Sequence, residues 1–373
     1  MRINLFGQRN PLGGGRHYGE FADALRSLRV ISDAVTEFDY FSADDHRRCL
    51  EMAGSDDINI HFVNVNSIAD HLLPRKWPHL PGKNIHWAIF EATRLFTPMV
   101  EWLQAADLVF VPSAWGKGIL INHGIAEDMI EVVPEGVDPA KFHPLIRSSY
   151  TNHQDEIYRV LVVSKFEERK GFPELLEGYA KAFGSDPAAK LMLKSDSLYM
   201  MSHPGDAYQT NIAKLQGLVE QAGIKNATYL NGVLSDDDLA HLYNACDVLL
   251  FPSRAEGWGL PLIEAIATGM PVATTFYSGH TEFLAPIKDK VGLLDHRMIP
   301  MGHDGTQGEW ACADSDTIAA RLIEMRENQA AYRAKALEAS AMIRKDVSWQ
   351  RAAEKCIDII ATRFGLFEIS LDI

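Results

Sequence analysis

The sequence predicts an α/β protein of two domains, each a parallel sheet with helices on both faces, and three observations carry that prediction. The chain has 373 residues, more than the roughly 100 to 200 that one ordinary core uses. Short apolar runs alternate with helical patterning along most of it, the rhythm of strand, crossover helix and parallel strand. Near the middle that rhythm lapses once and restarts, as at a boundary between compact units.

The first strand is Ile3 to Phe6, followed by a glycine-rich loop, Gly13, Gly14 and Gly15, and a helix with Phe21, Leu25 and Leu28 on one face. Apolar bursts follow at Ile58 to Val65, Asp107 to Val111 and Ile130 to Val133, the last closed by Pro134. From Pro134 to Tyr158 the pattern dissolves, ending in a polar run from Arg147 to Glu156 that suits an exposed connection. The first domain is therefore placed at 1–150. The second, 151–346, reads as strand Tyr158 to Val163, helix Pro173 to Phe183, strand Lys190 to Lys194, helix Asn211 to Ala222 and strand Ala227 to Leu230. It continues with helix Asp236 to Cys246 and strand Val248 to Phe251. The helix Pro261 to Thr268 has proline near its start and Gly269 just past its end, the usual asymmetry, and Pro271 to Thr274 adds a strand. From Asp316 the chain is helical, and Trp349, Ala353, Cys356 and Ile360 form a core-packing stripe near its end.

Composition narrows the function. Hydrophobic residues make up 47% and charged residues 23%, near the globular average and far from disordered chains. Fifty acidic against 36 basic side chains give a net charge of −14, so no stable nucleic-acid binding is expected, since each phosphate contact needs Lys or Arg. No apolar run approaches the roughly 18 residues of a membrane span, and the N-terminus runs into polar residues and glycines, so a cytoplasmic protein is expected. Cys49, Cys246, Cys312 and Cys356 lie far apart, implying neither a zinc cluster nor a disulfide framework.

The most specific segment is Arg254-Ala-Glu-Gly-Trp-Gly-Leu-Pro-Leu-Ile-Glu264, directly after the strand ending at Phe251. It opens a helix at the carboxyl end of a strand. Gly257 and Gly259 let the backbone approach a ligand, and the helix start aims free N–H groups at it, a ready site for a diphosphate. Carboxylates there accept hydrogen bonds from vicinal hydroxyls, so Glu264 suits a ribose and Glu256 a hexose. The plainer reading has both acids complementing the helix dipole and both glycines shaping a turn.

Two glutamates with seven residues between them in E-G-x-G-L-P-x-x-E-A, followed by Gly269-Met-Pro-Val272, resemble the retaining nucleotide-sugar glycosyltransferases of family four. The resemblance covers most of the chain. Asp107-Leu-Val-Phe-Val-Pro-Ser113 and Val132-Val-Pro-Glu-Gly-Val-Asp138 with Phe142 are similar to the end of that family's first domain; Asn231-Gly232-Val233 and Asp247-Val-Leu-Leu-Phe-Pro-Ser253 are similar to its second. It implies the GT-B architecture: two Rossmann-like, doubly wound parallel-sheet domains facing across a cleft, with a terminal helix, about 347–373, returning to the first. The first domain would face the acceptor. The second would bind the nucleotide sugar, with Gly257, Trp258, Gly259, Leu260 and Val233 among its donor contacts.

In Ser164-Lys-Phe-Glu-Glu-Arg-Lys-Gly171 two lysines five apart can point at one diphosphate and stabilise a leaving group. On charge alone the segment reads as a solvated loop in preference to a site. The resemblance assigns Lys165 and Lys170 to the diphosphate, with Ser164-Lys165 departing from the family's Gly-Arg; lysine is a point charge without the bidentate fork. Arg169 ranks below both as a substitute. Gly14 and Gly15 resemble the first-domain loop that nears the donor phosphate, otherwise a flexible turn. Arg16 and His17 beside it are either ligand contacts or helix-start residues. His61, at the end of a strand, resembles the position where relatives place a histidine near the sugar, against a histidine satisfied by backbone. Asn64 and Glu91 are weaker cleft candidates. The acidic pairs at Asp44, Asp56 and Asp236 read as turns and caps, so no metal is expected.

The resulting expectation is a retaining glycosyltransferase that moves a sugar from a UDP-, GDP- or ADP-sugar to a hydroxyl acceptor, with no further cofactor. A sugar-nucleotide epimerase or hydrolase, or a non-catalytic sugar-nucleotide-binding protein, can share the architecture. For a peripheral membrane or nucleic-acid contact the best short candidate is His71-Leu-Leu-Pro-Arg-Lys-Trp-Pro-His79, which reads equally as a loop packed on its own Trp77.

Overall fold

The computed structural model describes residues 2–11, 13–29, 31–40, 42–64, 80–145, 157–195, 206–301 and 308–365, with the 206–211 side chains and those of Val63 and Asn64 excepted. The 71–79 segment and the 147–156 connection lie outside them. The chain divides into two compact units, Met1–Gly136 with Val347–Ile373, and Val137–Asp346.

The first unit is built on six parallel strands: β1 (Ile3–Gly7), β2 (Val35–Asp39), β3 (Ile58–Asn64), β4 (Lys83–Ile89), β5 (Leu108–Val111) and β6 (Ile130–Val132), in the order β2-β1-β3-β4-β5-β6. β1 and β5 are buried at every position because parallel sheets are covered on both faces, which is why they read as unbroken apolar runs. The glycine run expected as a loop is instead the first turn of the helix Gly13–Ser27. That helix turns Tyr18, Phe21, Ala22 and Leu25 inward, and Phe21 meets the edge of Trp87 with ring centroids 4.7 Å apart. The helix Trp349–Phe364, N-capped by Ser348, packs on it and buries Trp349, Ala353, Cys356 and Ile360. Full burial of Ile360 alone stabilises the unit by about 1.5 to 3 kcal/mol.

His17 sits inside this core, stacked on Trp349 at 5.7 Å and edge-on to Trp87 at 4.7 Å. Burial lowers its pKa to about 3. Its Nδ1 lies 3.8 Å from Glu135 Oε1, whose pKa burial raises well above the ordinary 4.5, against the pull of Arg16. His17 is therefore neutral at pH 7, and burial favours the protonated form of Glu135. A native carboxyl that keeps its proton must recover one from solvent on folding once pH exceeds 4.5, so this group's contribution to stability declines as pH rises. Glu135→Gln removes that decline. The variant's melting temperature relative to the parent should be higher at pH 8 than at pH 5, and an equal offset at both pH values would show that Glu135 folds ionised.

The second unit repeats the plan with β7 (Tyr158–Val163), β8 (Ala189–Lys194), β9 (Ala227–Tyr229), β10 (Val248–Phe251), β11 (Val272–Thr275) and β12 (Gly292–Leu294), all parallel, in the order β12-β11-β10-β7-β8-β9. Val160, Leu176, Tyr179, Leu250, Ile318 and Leu322 belong to one core between this sheet and the helices Phe172–Phe183 and Ser315–Glu327. An antiparallel ribbon, β13 (Arg297–Pro300) with β14 (Glu309–Cys312), adds to it. The Ala311 N–H donates to the Arg254 carbonyl, which ties the ribbon to the segment after β10.

Candidate functional site

Strand order locates the site. From β7 the chain builds β8 and β9 to one side and β10, β11 and β12 to the other, so connections diverge between β7 and β10. In open α/β sheets a ligand crevice lies outside the carboxyl ends of the strands at such a switch point. The segments leaving those two ends are Ser164–Gly171 and Pro252–Gly259, the two that carry the sequence motifs.

They meet at Glu256. Its carboxylate takes Lys170 Nζ at 2.5 Å and the Ser253 hydroxyl on Oε1, and Arg169 Nη1 at 2.9 Å on Oε2. Glu256 is only 4% exposed. Burial alone would raise its pKa, but the Arg169 and Lys170 charges outweigh that and hold it at about 2. The local structure explains why these two cations turn inward: Glu168–Lys170 is one 3-10 turn, closed by Gly171. Arg169 Nη1 also donates to the Ala255 carbonyl at 2.7 Å, and Lys170 Nζ lies 5.2 Å from the Phe251 ring. Buried Lys170 and half-buried Arg169 converge on this one carboxylate, while Arg169 also pairs with the more exposed Glu167 at 3.4 Å; cations gathered in one crevice attract an anion.

Lys165, expected to point with Lys170 at one anion, is 37% exposed in its side chain and paired with Glu167 at 3.6 Å. Arg169, ranked below it, is the residue that joins Lys170. No sequence signal separates three cations on one loop; only the 3-10 turn does.

The glycine-rich turn leads into the helix Leu260–Ala267. Gly259 is its N-cap at φ 103°, a backbone that L side chains rarely adopt. A Cβ there would lie 3.5 Å from His280 Cβ and 3.7 Å from Glu256 Cγ, so these three residues share one small space. Gly257 and Leu260 are buried beside it. Trp258 is buried too, its ring 5.0 Å from Phe283 and its indole N–H without a hydrogen-bond partner among the described residues. Glu264 is buried within the same helix, Oε2 accepting from the Tyr243 hydroxyl at 3.2 Å. Val233 is 52% exposed.

Sequence reasoning missed the segment opposite. His280 is fully buried, Nε2 donating to the Thr275 carbonyl at 2.8 Å; burial lowers its pKa to about 4, so the ring is neutral. Ser278 has φ 63°, the one left-handed non-glycine backbone among the described residues, a strain of about 1 to 3 kcal/mol. The Ser-Gly pair at 278 and 279 was the available turn signal. Ser164 Oγ and Ser195 Oγ, at the carboxyl ends of β7 and β8, are buried without partners among the described residues.

In the first unit, Gly14 and Gly15 lie in the first turn of the helix Gly13–Ser27, and a Cβ at Gly15 would come within 2.6 Å of the Asn10 backbone nitrogen. His61 is in the middle of β3 and not at a strand end. It is stacked on Phe6 at 4.5 Å, with Nδ1 2.9 Å from the Tyr40 hydroxyl, the surroundings of a satisfied core histidine. Asn64 is described only in its backbone. No group of three or more His, Cys, Asp or Glu side chains among the described residues could hold a metal ion, and no helix among them is long and apolar enough to cross a membrane.

Residues 147–294 match the family described as glycosyl transferases group 1. Mannosylfructose-phosphate synthase of Agrobacterium fabrum is 26% identical over 223 residues, 55% of this chain and 47% of that protein. The chain spans about half the length of the curated relatives it matches. In fold, it is similar to sucrose-phosphate synthase from Thermosynechococcus elongatus, with TM-score 0.74 and 15% identity over 98% of this chain and 100% of that one. It is likewise similar to Anabaena Alr3699/HepE, solved in complex with UDP and glucose, with TM-score 0.69 and 16% identity over 97% of this chain and 100% of that one.

Proposed function

From a chain whose residues 147–294 belong to the glycosyl transferases group 1 family and whose fold is GT-B, we propose a retaining glycosyltransferase that moves a sugar from a nucleoside diphosphate sugar to a hydroxyl acceptor. The observation that carries this is the convergence of Arg169 and Lys170 on Glu256 at the carboxyl ends of β7 and β10. The UDP and glucose in the Alr3699/HepE structure support the donor class. The unit Val137–Asp346 takes the donor and the first unit the acceptor.

Each residue then has a physical task. Lys170 and Arg169, with the N–H groups opening the helix at Gly259 and Leu260, hold the diphosphate and stabilise the charge that grows on it as the glycosidic bond breaks. Lys165 adds positive charge at the rim. Glu256, ionised at any working pH, accepts hydrogen bonds from sugar hydroxyls and fixes the ring; Glu264 accepts from the ribose, and Gly257, Trp258 and Val233 line the donor path. Substitution on the same face gives retention: the carbon–oxygen bond to phosphate breaks, the acceptor oxygen bonds to the anomeric carbon, and the departing phosphate oxygen takes the acceptor proton.

A thermal-shift screen with UDP, GDP, ADP and their glucose and mannose derivatives tests the reading, since native-state binding raises the melting temperature by mass action. Labelled-sugar transfer then has to require an acceptor. A donor sugar altered without acceptor would mean epimerisation, and no stabilisation by any of these ligands would remove the donor site. Glu264→Ala should raise the donor KM with kcat nearly unchanged, because ribose contacts are alike in ground and transition states. A collapsed kcat at constant KM would assign Glu264 to the chemistry instead.

A further inference from the structure

We propose that Ser278 is a positioning residue for Glu256, a role that rests on the function proposed above. Ser278 lies in the turn between β11 and the short helix Thr281–Leu284, buried, and held at φ 63°. Glycine would occupy that backbone without strain, so a serine there requires a use for its side chain. The use is visible: Oγ accepts the Glu256 N–H at 2.8 Å and donates to the Tyr277 carbonyl at 2.6 Å. One residue on, the Gly279 N–H donates to the Glu256 carbonyl at 2.9 Å. Both backbone polar groups of Glu256 are thus held by this turn.

The turn is itself braced. The Thr281 hydroxyl donates to the Ser278 carbonyl at 2.6 Å, and the His280 ring is tied to the Thr275 carbonyl. A Cβ on Gly279 would fall 1.9 Å from the Gly257 carbonyl oxygen, so the two segments touch through backbone. The Ser253 carbonyl, before Glu256, accepts from the Thr275 hydroxyl at 2.8 Å. The carboxylate end of Glu256 is held by the Ser253 hydroxyl and by Arg169 and Lys170, the two cations that a bound diphosphate also attracts. The Ser278 turn fixes the other end independently of those cations. When a diphosphate draws Arg169 and Lys170 away, this turn keeps the Glu256 backbone in place beneath the sugar, and small displacements of a positioning group are costly to rate and selectivity.

The test separates the sugar from the nucleotide. Calorimetric titration of the parent, Ser278→Ala and Ser278→Gly with UDP, GDP and ADP, and with UDP-glucose, GDP-mannose and ADP-glucose, gives for each the ratio of diphosphate to sugar-nucleotide dissociation constants. Both variants should keep nucleoside diphosphate affinity within about twofold of the parent and lose roughly tenfold in that ratio. Ser278→Gly relieves the backbone strain, so it keeps the test available if the alanine variant folds poorly. An unchanged ratio in a folded variant overturns the positioning role. So does an equal loss for diphosphate and sugar nucleotide that tracks the fall in melting temperature, the mark of a structural role alone. A parent that binds none of the six ligands overturns the donor-site reading itself and this inference with it.

Discussion

Lys170→Ala should lower turnover about a hundredfold or more. In the proposed mechanism the cation meets charge that grows only as the glycosidic bond breaks, so its loss resembles loss of an oxyanion donor, worth roughly 2.7 to 4 kcal/mol in the transition state. The donor KM should change far less. Stability should fall as well, because removing one member of a buried ion pair leaves the other undersatisfied, at about 3 to 5 kcal/mol in the worst case; Arg169, still 2.9 Å from Glu256 Oε2, reduces that. Steady-state rates beside a melting curve separate the two losses. Activity within a few-fold of the parent in a folded variant would leave Lys170 as a structural counter-ion of Glu256.

Full burial on both faces makes a strand easy to read from sequence, although β6, β8 and β9 were also legible while only partly buried. β1, β5 and β10 are unbroken apolar runs whose residues are all buried, and each was legible. β2 and β4 were not. β2 lies at the sheet edge and mixes Thr36, Glu37 and Asp39 with its apolar positions; β4 carries Lys83, Asn84 and His86, which breaks the run although all its central residues are buried. The β13–β14 ribbon escaped for a related reason, since β13 is mostly exposed and has no buried position.

The candidate site was legible where a motif imposes backbone geometry and illegible where side-chain direction decides. Glycines at 257 and 259 before Leu260-Pro261 announce a turn opening a helix, and Gly259 is that helix's N-cap. Which of Lys165, Arg169 and Lys170 faces inward depends on a three-residue turn that leaves no periodic trace. The Ser-Gly pair at 278 and 279 marks a turn, but the contact of Ser278 with Glu256, 22 residues away, is not encoded in local sequence.

Glu256→Gln should separate affinity from activity in opposite directions. In the parent, the carboxylate assigned to the sugar also pairs with Arg169 and Lys170, the two cations assigned to the diphosphate. A bound diphosphate therefore meets a negative charge near its own oxygens, and like charges about 6 Å apart repel by roughly 2 to 3 kcal/mol at an effective dielectric constant of about 20. Replacing the carboxylate by an amide of equal size removes that repulsion and takes from Lys170 and Arg169 the carboxylate they share, Arg169 keeping Glu167 and the Ala255 carbonyl. Inorganic pyrophosphate and nucleoside diphosphates should then bind tenfold or more tightly, and their stabilisation of the variant should exceed that of the parent. Turnover should meanwhile fall roughly ten- to a hundredfold, as a hydrogen bond from sugar hydroxyl to carboxylate becomes one to a neutral amide. The pH dependence has a fixed sign. With a folded pKa of about 2 against an ordinary 4.5, ionised Glu256 contributes stability above pH 4.5 that is lost as pH falls toward 2. The glutamine variant, less stable than the parent at pH 7, should close part of that gap in acid. Calorimetry with pyrophosphate at pH 7 is the decisive measurement: equal or weaker binding by Glu256→Gln would mean that Arg169 and Lys170 do not face the bound diphosphate.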